Sequence, residues 1–289
     1  MKQITVLSGK GGTGKTTVTA ALAQLSGESI LADCDVEAPN LHLLLHPEVS
    51  KNYPLSVSLV ALIDEDLCTK CGICEEECRF DAIRDFRVNP FSCEGCRLCA
   101  RLCPEEAVEM LEPEGAEVFM GKTDYGPMIW ACLAVGEEAS GKVVSQVRME
   151  AQNICDNGGP DLIITDGSPG IGCPVIASVT GSDLVVMVAE PTLSGRHDLG
   201  RALEMTAFFK IPSLACVNKA DINPEETESI RQLCLSRGVE MAVEIPYSDQ
   251  LAESARQARP PLEDLDEDLV LLFQRLYRAA MAKIDITGS

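Results

Sequence analysis

The densest chemistry near the N-terminus lies in ten residues, "SGKGGTGKTT", Ser8 to Thr17. Gly9, Gly14, Lys15 and Thr16 fill the pattern G-x-x-x-x-G-K-T. Glycines at these positions let backbone amides converge on an anion, the lysine neutralises β- and γ-phosphate oxygens, and the hydroxyl reaches a phosphate-bound magnesium ion. Gly9, Gly11, Gly12, Thr13, Gly14, Lys15, Thr16 and Thr17 are thus candidates for a nucleotide-phosphate cradle at a helix N-terminus, with Thr16 as the Mg2+ ligand. The pattern does not call for a second lysine, yet Lys10 directly follows the first glycine.

The fourteen cysteines are the second concentration. Eight fall in two copies of one pattern offset by 25 residues: "CTKCGICEEEC" at Cys68, Cys71, Cys74 and Cys78, and "CEGCRLCARLC" at Cys93, Cys96, Cys99 and Cys103. Asp81-Ala82-Ile83 after the first copy matches Glu106-Ala107-Val108 after the second, so the whole unit is duplicated. C-x2-C-x2-C-x3-C is the bacterial ferredoxin spacing, in which three thiolates of one run close on a cubane and the fourth ligand comes from the other run. The spacing assigns Cys68, Cys71, Cys74 and Cys103 to one 4Fe-4S cluster, and Cys93, Cys96, Cys99 and Cys78 to a second. Zinc, the competing metal, takes four thiolates as separated pairs. Pro104 follows the last cysteine of the second copy but Arg79 stands there in the first, placing a guanidinium where it favours the reduced, more negative second cluster. Residues 61–115 hold fourteen acids and six bases, a net of −8, so a redox partner is expected to bring a basic patch.

Both constellations need a scaffold. The apolar runs "SILADCD", "DLIITDG", "DLVVMVAE" and "SLACVNKAD" are short, bounded by turn residues and separated by helix-length segments such as Gly141–Asn153 and Arg196–Phe209. That alternation predicts an α/β fold, a doubly wound and mainly parallel sheet with ligands at the carboxyl ends of its strands. The pattern stops near residue 60 and resumes near "YGPMIWACLAVG", so the expected organisation is a nucleotide-binding domain of residues 1–60 and 116–289 carrying a small inserted α+β ferredoxin domain at 61–115.

With 46% hydrophobic and 24% charged residues the chain reads as globular. No run of about 18 apolar residues occurs and "ITVLS" opens directly as a strand, so a soluble, cytoplasmic protein is expected. A net charge of −21 argues against nucleic acid and stable binding to anionic membranes, since both need a cationic face. The amphipathic segment Asp266–Ile284 has only three basic residues, and is expected to pack on the sheet through Leu269, Leu272, Phe273, Leu276 and Ala280.

In combination, the motifs resemble the MinD/Mrp-type P-loop ATPases of the signal recognition particle and BioD class, in the subgroup with an inserted ferredoxin domain. "KGGTGKTT" looks like the deviant Walker A loop, "DCDVEAPNL" like switch I, "DGSPG" like Walker B with switch II, and "VNKAD" like the base-binding strand end. The resemblance implies an enzyme that binds ATP or ADP with Mg2+ and hydrolyses ATP. It implies that Lys10 reaches the phosphates of a second subunit, making a homodimer or a heterodimer with a related ATPase. Lys10, Lys15, Asp35 and Asp166 are then the catalytic candidates, Asp35 orienting the attacking water and Asp33 supporting it. Asn218 would read the adenine edge with Pro246 and Tyr247 packed nearby. Asp166 also has an independent warrant, since a carboxylate ending a buried strand is costly unless it serves a cation.

Cys173 lies seven residues after Asp166, where the nitrogenase iron protein, a relative by fold, holds a shared cluster; no match for that protein's second ligand occurs, so a buried structural thiol is the expectation. Cys34, Cys132, Cys155, Cys216 and Cys234 sit in apolar contexts and read as core. His42 and His46 share a helical face and read as packing or surface, while His197 follows a strand end near the nucleotide. Two function classes follow. One is an ATPase whose dimer couples to its clusters, serving a metallocluster or redox client through assembly or ATP-gated electron transfer. The other is a MinD-like nucleotide switch in spatial organisation with structural clusters.

Overall fold

The computed structural model describes residues 1–137 and 141–287. The chain begins with β1 (Lys2–Ser8), α1 (Lys15–Ser26), β2 (Ile30–Asp33), α2 (Leu41–Leu45) and β3 (Glu48–Ser56). A cysteine-bearing stretch follows with β4 (Val60–Ile63), α3 (Ile73–Glu76), β5 (Ile83–Arg84), β6 (Arg87–Val88), α4 (Leu98–Leu102) and β7 (Val108–Leu111). Then come β8 (Glu114–Thr123), β9 (Gly126–Leu133), α5 (Gly141–Asp156), β10 (Leu162–Asp166), α6 (Cys173–Val179), β11 (Leu184–Ala189), α7 (Leu193–Phe208), β12 (Ser213–Asn218) and α8 (Pro224–Ser236). The chain closes with β13 (Glu240–Ile245), α9 (Asp249–Arg256) and α10 (Glu267–Thr287).

One nine-stranded sheet has the order β13-β12-β11-β1-β10-β2-β9-β8-β3. From β13 to β9 every pairing is parallel. Such strands are covered on both faces, and their side chains alternate between the two coverings. Ile4 and Val6 of β1 join one core with Val18 and Leu22 of α1 and Phe273 and Leu276 of α10. Leu7 joins the other with Val175 and Val179 of α6, Leu199 and Leu203 of α7 and Ile230 of α8. This is the expected α/β architecture with a mostly parallel sheet. Phe273 is 1% exposed, so truncating it to alanine costs about 3–5 kcal/mol. The apolar stripe of α10 is thereby spent on the core, and among the described residues no helix is long and apolar enough to cross a membrane.

The chain divides into two compact units, and the smaller comprises Tyr53–Glu117 with residues 133–137. It is wider than the expected 61–115, because its boundaries fall inside β3, β8 and the end of β9. Strand β3 was not legible in sequence: it is an edge strand, largely exposed, with Pro54 in its run, and an edge tolerates the missing N–H donor.

Within the smaller unit β4 pairs antiparallel with β7 and β5 with β6. The 25-residue duplication is present in the backbone. Lys70 (φ 57°) matches Gly95 (φ 59°), Gly72 (φ 85°) matches Arg97 (φ 65°), and Asp81 (φ 50°) matches Glu106 (φ 52°). Helix α3 starts at Ile73 and α4 at Leu98, again 25 apart. Its apolar core is small: Ala61, Ile63, Ile83 and Val108 are buried, and six of the eight repeat cysteines pack against them.

Candidate functional site

The carboxyl edge of the sheet collects the phosphate-loop candidates. Strand β1 lies between β10 and β11 and delivers the glycine loop, while β10 is inserted between β1 and β2. Register pairs Val6 with Asp166 and Asp166 with Asp33, so two carboxylates from distant stretches end side by side. Gly14 (φ 93°) makes the left-handed turn into α1, and a Cβ there would stand 2.3 Å from Asn218 Nδ2. Gly9 has a different need: its missing Cβ would fall 2.2 Å from Asp198 Cβ.

Lys15 is 5% exposed, with Nζ 2.9 Å from Asp166 Oδ1 and 3.5 Å from Asp35 Oδ2. Burial opposes its charge, but Asp166, Asp33 and Asp35 outweigh that and hold the ammonium above its ordinary range. Even so, neither Lys15 Nζ nor Thr13 Oγ1 has a hydrogen bond of acceptable geometry, although both are buried. Thr16 Oγ1 donates to Asp166 Oδ2 (2.7 Å) and lies 3.1 Å from Asn40 Oδ1, and Thr19 Oγ1 donates to Asp166 Oδ1 (2.9 Å). An unpartnered buried hydroxyl on Thr13 and a buried ammonium with only ion-pair contacts, beside a hydroxyl–carboxylate cluster, fit a phosphate chain with a divalent cation, because buried polar groups are normally hydrogen-bonded.

Asp33, fully buried, holds the loop after β2. Its Oδ1 accepts from Asp35 N at 3.0 Å, and its Oδ2 from Asn40 N at 3.1 Å and Leu41 N at 3.0 Å. Burial, with Asp166 beside it, pushes the Asp33 carboxyl up to about 8 despite Lys15 and these amides. Burial likewise raises Asp35, with Lys15 opposing.

Asn218, at the end of β12, donates from Nδ2 to Thr13 O at 2.8 Å, and its Oδ1 accepts from Lys219 N at 3.0 Å. Its side chain therefore braces the glycine loop in this structure. Tyr247 is 48% exposed and its N–H donates to Asp221 Oδ1 at 2.5 Å; Pro246 precedes it. Lys10 Nζ lies 3.2 Å from Glu190 Oε2. Asn40, Thr19 and Lys219 were not anticipated. Thr19 had a readable signal, lying one helical turn beyond Lys15 and Thr16. Asn40 and Lys219 had none, because their partners are set by strand order.

In the smaller unit, one cavity is lined by Cys68, Cys71, Cys74 and Cys103, and another by Cys78, Cys93, Cys96 and Cys99. Each cavity thus takes three cysteines of one run and the last of the other. Among the described residues no three His, Cys, Asp or Glu side chains close on a single metal ion. A cubane spaces its four thiolates more widely than one ion does, so the two facts are compatible.

These geometries belong to a nucleotide-binding fold, and comparison with known proteins specifies which. The family described as CobQ/CobB/MinD/ParA nucleotide binding domain matches residues 4–262. The chain belongs to this family. An uncharacterized protein of Methanocaldococcus jannaschii is 37% identical to this MinD/ParA-family chain over 76% of its length and 79% of the relative's. An iron-sulfur cluster carrier protein of Pyrococcus horikoshii is 23% identical, covering 98% of this chain and 86% of its own. Among solved structures, the septum site-determining protein MinD of Pyrococcus horikoshii, complexed with Mg-ADP, aligns with TM-score 0.63 at 17% identity over 99% of this chain and 98% of that one.

Several side chains fall outside the site. His42 stacks on Trp130 with ring centroids 5.5 Å apart, and burial lowers its pKa; His46 Nε2 lies 2.6 Å from Ala258 O. His197 is exposed beside Asp198. Cys34, Cys155, Cys216 and Cys234 are buried and Cys132 is half-buried against the core, but Cys173, expected as a buried thiol, is exposed because it starts α6 at the surface.

Proposed function

We propose that this chain is a magnesium-dependent ATPase that dimerises with nucleotide, binds two 4Fe-4S clusters, and acts in the cytoplasm on a metallocluster or redox client. The observation that carries the reading is the cysteine arrangement, two cavities each lined by one crossed-over quartet. The small apolar core of the same unit adds support, since so few buried side chains leave a small module in need of a staple. The name of the Pyrococcus carrier protein points the same way.

In this reading Lys15 would neutralise the β- and γ-phosphates, the amides from Gly11 to Thr17 would cradle them, and Thr16 and Asp166 would hold magnesium, which would screen the phosphate charge. Asp35 orients the attacking water, and Asp33 keeps Asp35 in place through the amides it accepts. Asn218 meets the adenine edge with Pro246 and Tyr247 alongside, and Lys10 serves the nucleotide of the second subunit. The clusters would supply one-electron chemistry; the chain's part is to hold their thiolates and limit solvent access.

Protein purified without oxygen is expected to hold about eight iron and eight sulfide per chain. Replacing Cys103 is expected to damage the cluster of Cys68, Cys71 and Cys74. Stoichiometric zinc, or four iron per chain, defeats the ligand assignment. The MinD likeness favours a second reading, a nucleotide switch in spatial organisation with structural clusters. Cluster potentials measured without nucleotide, with ADP and with a non-hydrolysable ATP analogue divide the two. Coupling of about 1–3 kcal/mol appears as a shift of about 40–130 mV, and constant potentials favour the switch.

A further inference from the structure

Glu190 lies just past β11, and the register explains its neighbour. Strands β1 and β11 are parallel with Ser8 opposite Val188, so two residues further on Lys10 stands opposite Glu190. The contact is direct, Lys10 Nζ being 3.2 Å from Glu190 Oε2, and Thr192 Oγ1, at the N-cap of α7, lies 3.5 Å from the same ammonium. Glu190 has a second cation, Lys219, which ion-pairs with its Oε1 and also donates to Gly12 O at 3.3 Å. One carboxylate therefore holds two lysines. They differ in what else they hold: Lys219 ties Glu190 to the glycine loop, whereas among the described residues Lys10 Nζ has only Thr192 Oγ1 besides.

We propose that Glu190 is a clasp that keeps Lys10 on its own subunit until a nucleotide-bound second copy of this chain takes the lysine. This rests on the reading that Lys10 serves the partner's phosphates. Held at ion-pair distance from Glu190, the Lys10 ammonium is engaged within the single chain. Releasing it is inexpensive, because Lys219 remains and Glu190, with its side chain 14% exposed, is not left as a bare carboxylate. Burial pushes the Glu190 carboxyl up, yet Lys219 and Lys10 outweigh it and hold the group below the usual carboxylate range, so the clasp is charged at neutral pH. A free chain thus has its bridging lysine engaged, and only nucleotide phosphates, with more charge than one carboxylate, compete well for it.

The test is the nucleotide-dependent dimerisation of the full, cluster-loaded chain, followed by sedimentation velocity with Mg2+ and a non-hydrolysable ATP analogue. Glu190→Gln keeps the shape and removes the charge. Losing a partly exposed ion pair should tighten the dimer by up to about fivefold per clasp. Lys219→Met makes Lys10 the only cation left on Glu190 and should weaken the dimer, while the tightening expected of Glu190→Gln is the sign that simple damage to the fold does not produce. Both effects should shrink as salt is raised. Glu190→Gln dimerising like wild type or more weakly, or Lys219→Met failing to weaken the dimer, overturns the clasp. Lys10→Ala separates this from failure of the underlying reading: if that variant dimerises normally, Lys10 does not bridge at all, whereas a weakened Lys10→Ala dimer with an unchanged Glu190→Gln dimer sinks the clasp alone.

Discussion

Lys15→Met tests whether the nucleotide site stores electrostatic stress when empty. Lys15 is the cation within ion-pair distance of Asp166, which is 0% exposed, and of Asp35, with Asp33 adjoining in register. Removing one partner of a buried pair leaves an uncompensated charge, a loss of about 3–5 kcal/mol. For a unit of this size each kcal/mol moves Tm by about 2–4 °C, so the fall is roughly 6–20 °C. The loss should depend on pH in a fixed direction. Asp33 is raised to about 8 even with Lys15 present, and burial raises Asp35. Such groups bind more protons folded than unfolded, so their linkage makes stability fall as pH rises from the ordinary carboxylate range towards about 8. Without Lys15 the rise is larger, so a proton substitutes for the lysine fully at pH 6 and less completely at pH 8.5. Trp130 is the only tryptophan, is 4% exposed, and packs in the core of the larger unit, so its fluorescence during denaturant unfolding reports on that unit. The assay uses nucleotide-free protein without added Mg2+. A variant as stable as wild type at pH 8.5, or one with a larger deficit at pH 6, refutes the reasoning. Adding Mg2+ alone should then restore part of the variant's stability, because a divalent ion fills the place of the lost ammonium.

Two further outcomes follow from single contacts. Asn218→Ala removes the donor that braces Thr13 O and leaves that carbonyl unpaired, a cost of about 1–3 kcal/mol, and nucleotide affinity measured by calorimetry should fall with it; unchanged affinity and stability would show the brace to be idle. In the native protein at pH 8, iodoacetamide should label exposed Cys173 well before Cys34, Cys216 or Cys234, since burial pushes Cys216 to about 12 and Cys234 to about 11 and Cys34 higher still; mass spectrometry showing early labelling of Cys216 contradicts the burial argument.

What was legible in the chain was what depends on near neighbours. The phosphate loop works through consecutive amides and one helix start, so "GKGGTGKT" declares it. The cysteine runs are similar, because a turn of fixed backbone shape sets each spacing, and matching positive φ values at Lys70 and Gly95 or Gly72 and Arg97 repeat the turn despite different side chains. Alternation of buried runs with helix-length segments was enough for the parallel sheet and its two coverings. Edge strand β3 escaped, since an exposed strand needs no apolar pattern.

Strand order decided the rest. Nothing near residue 166 announces that β10 slips between β1 and β2, yet that insertion sets Asp166 beside Asp33 and under Lys15, and so gathers three carboxylates around one ammonium. The same holds for Glu190 and Lys10, 180 positions apart in sequence and joined only because β11 lies against β1 in one register. Local sequence sets backbone conformation and the types of group on offer; which charges meet is set by burial of both sheet faces, because a one-residue slip in register would send every strand side chain to the opposite covering and separate these pairs together.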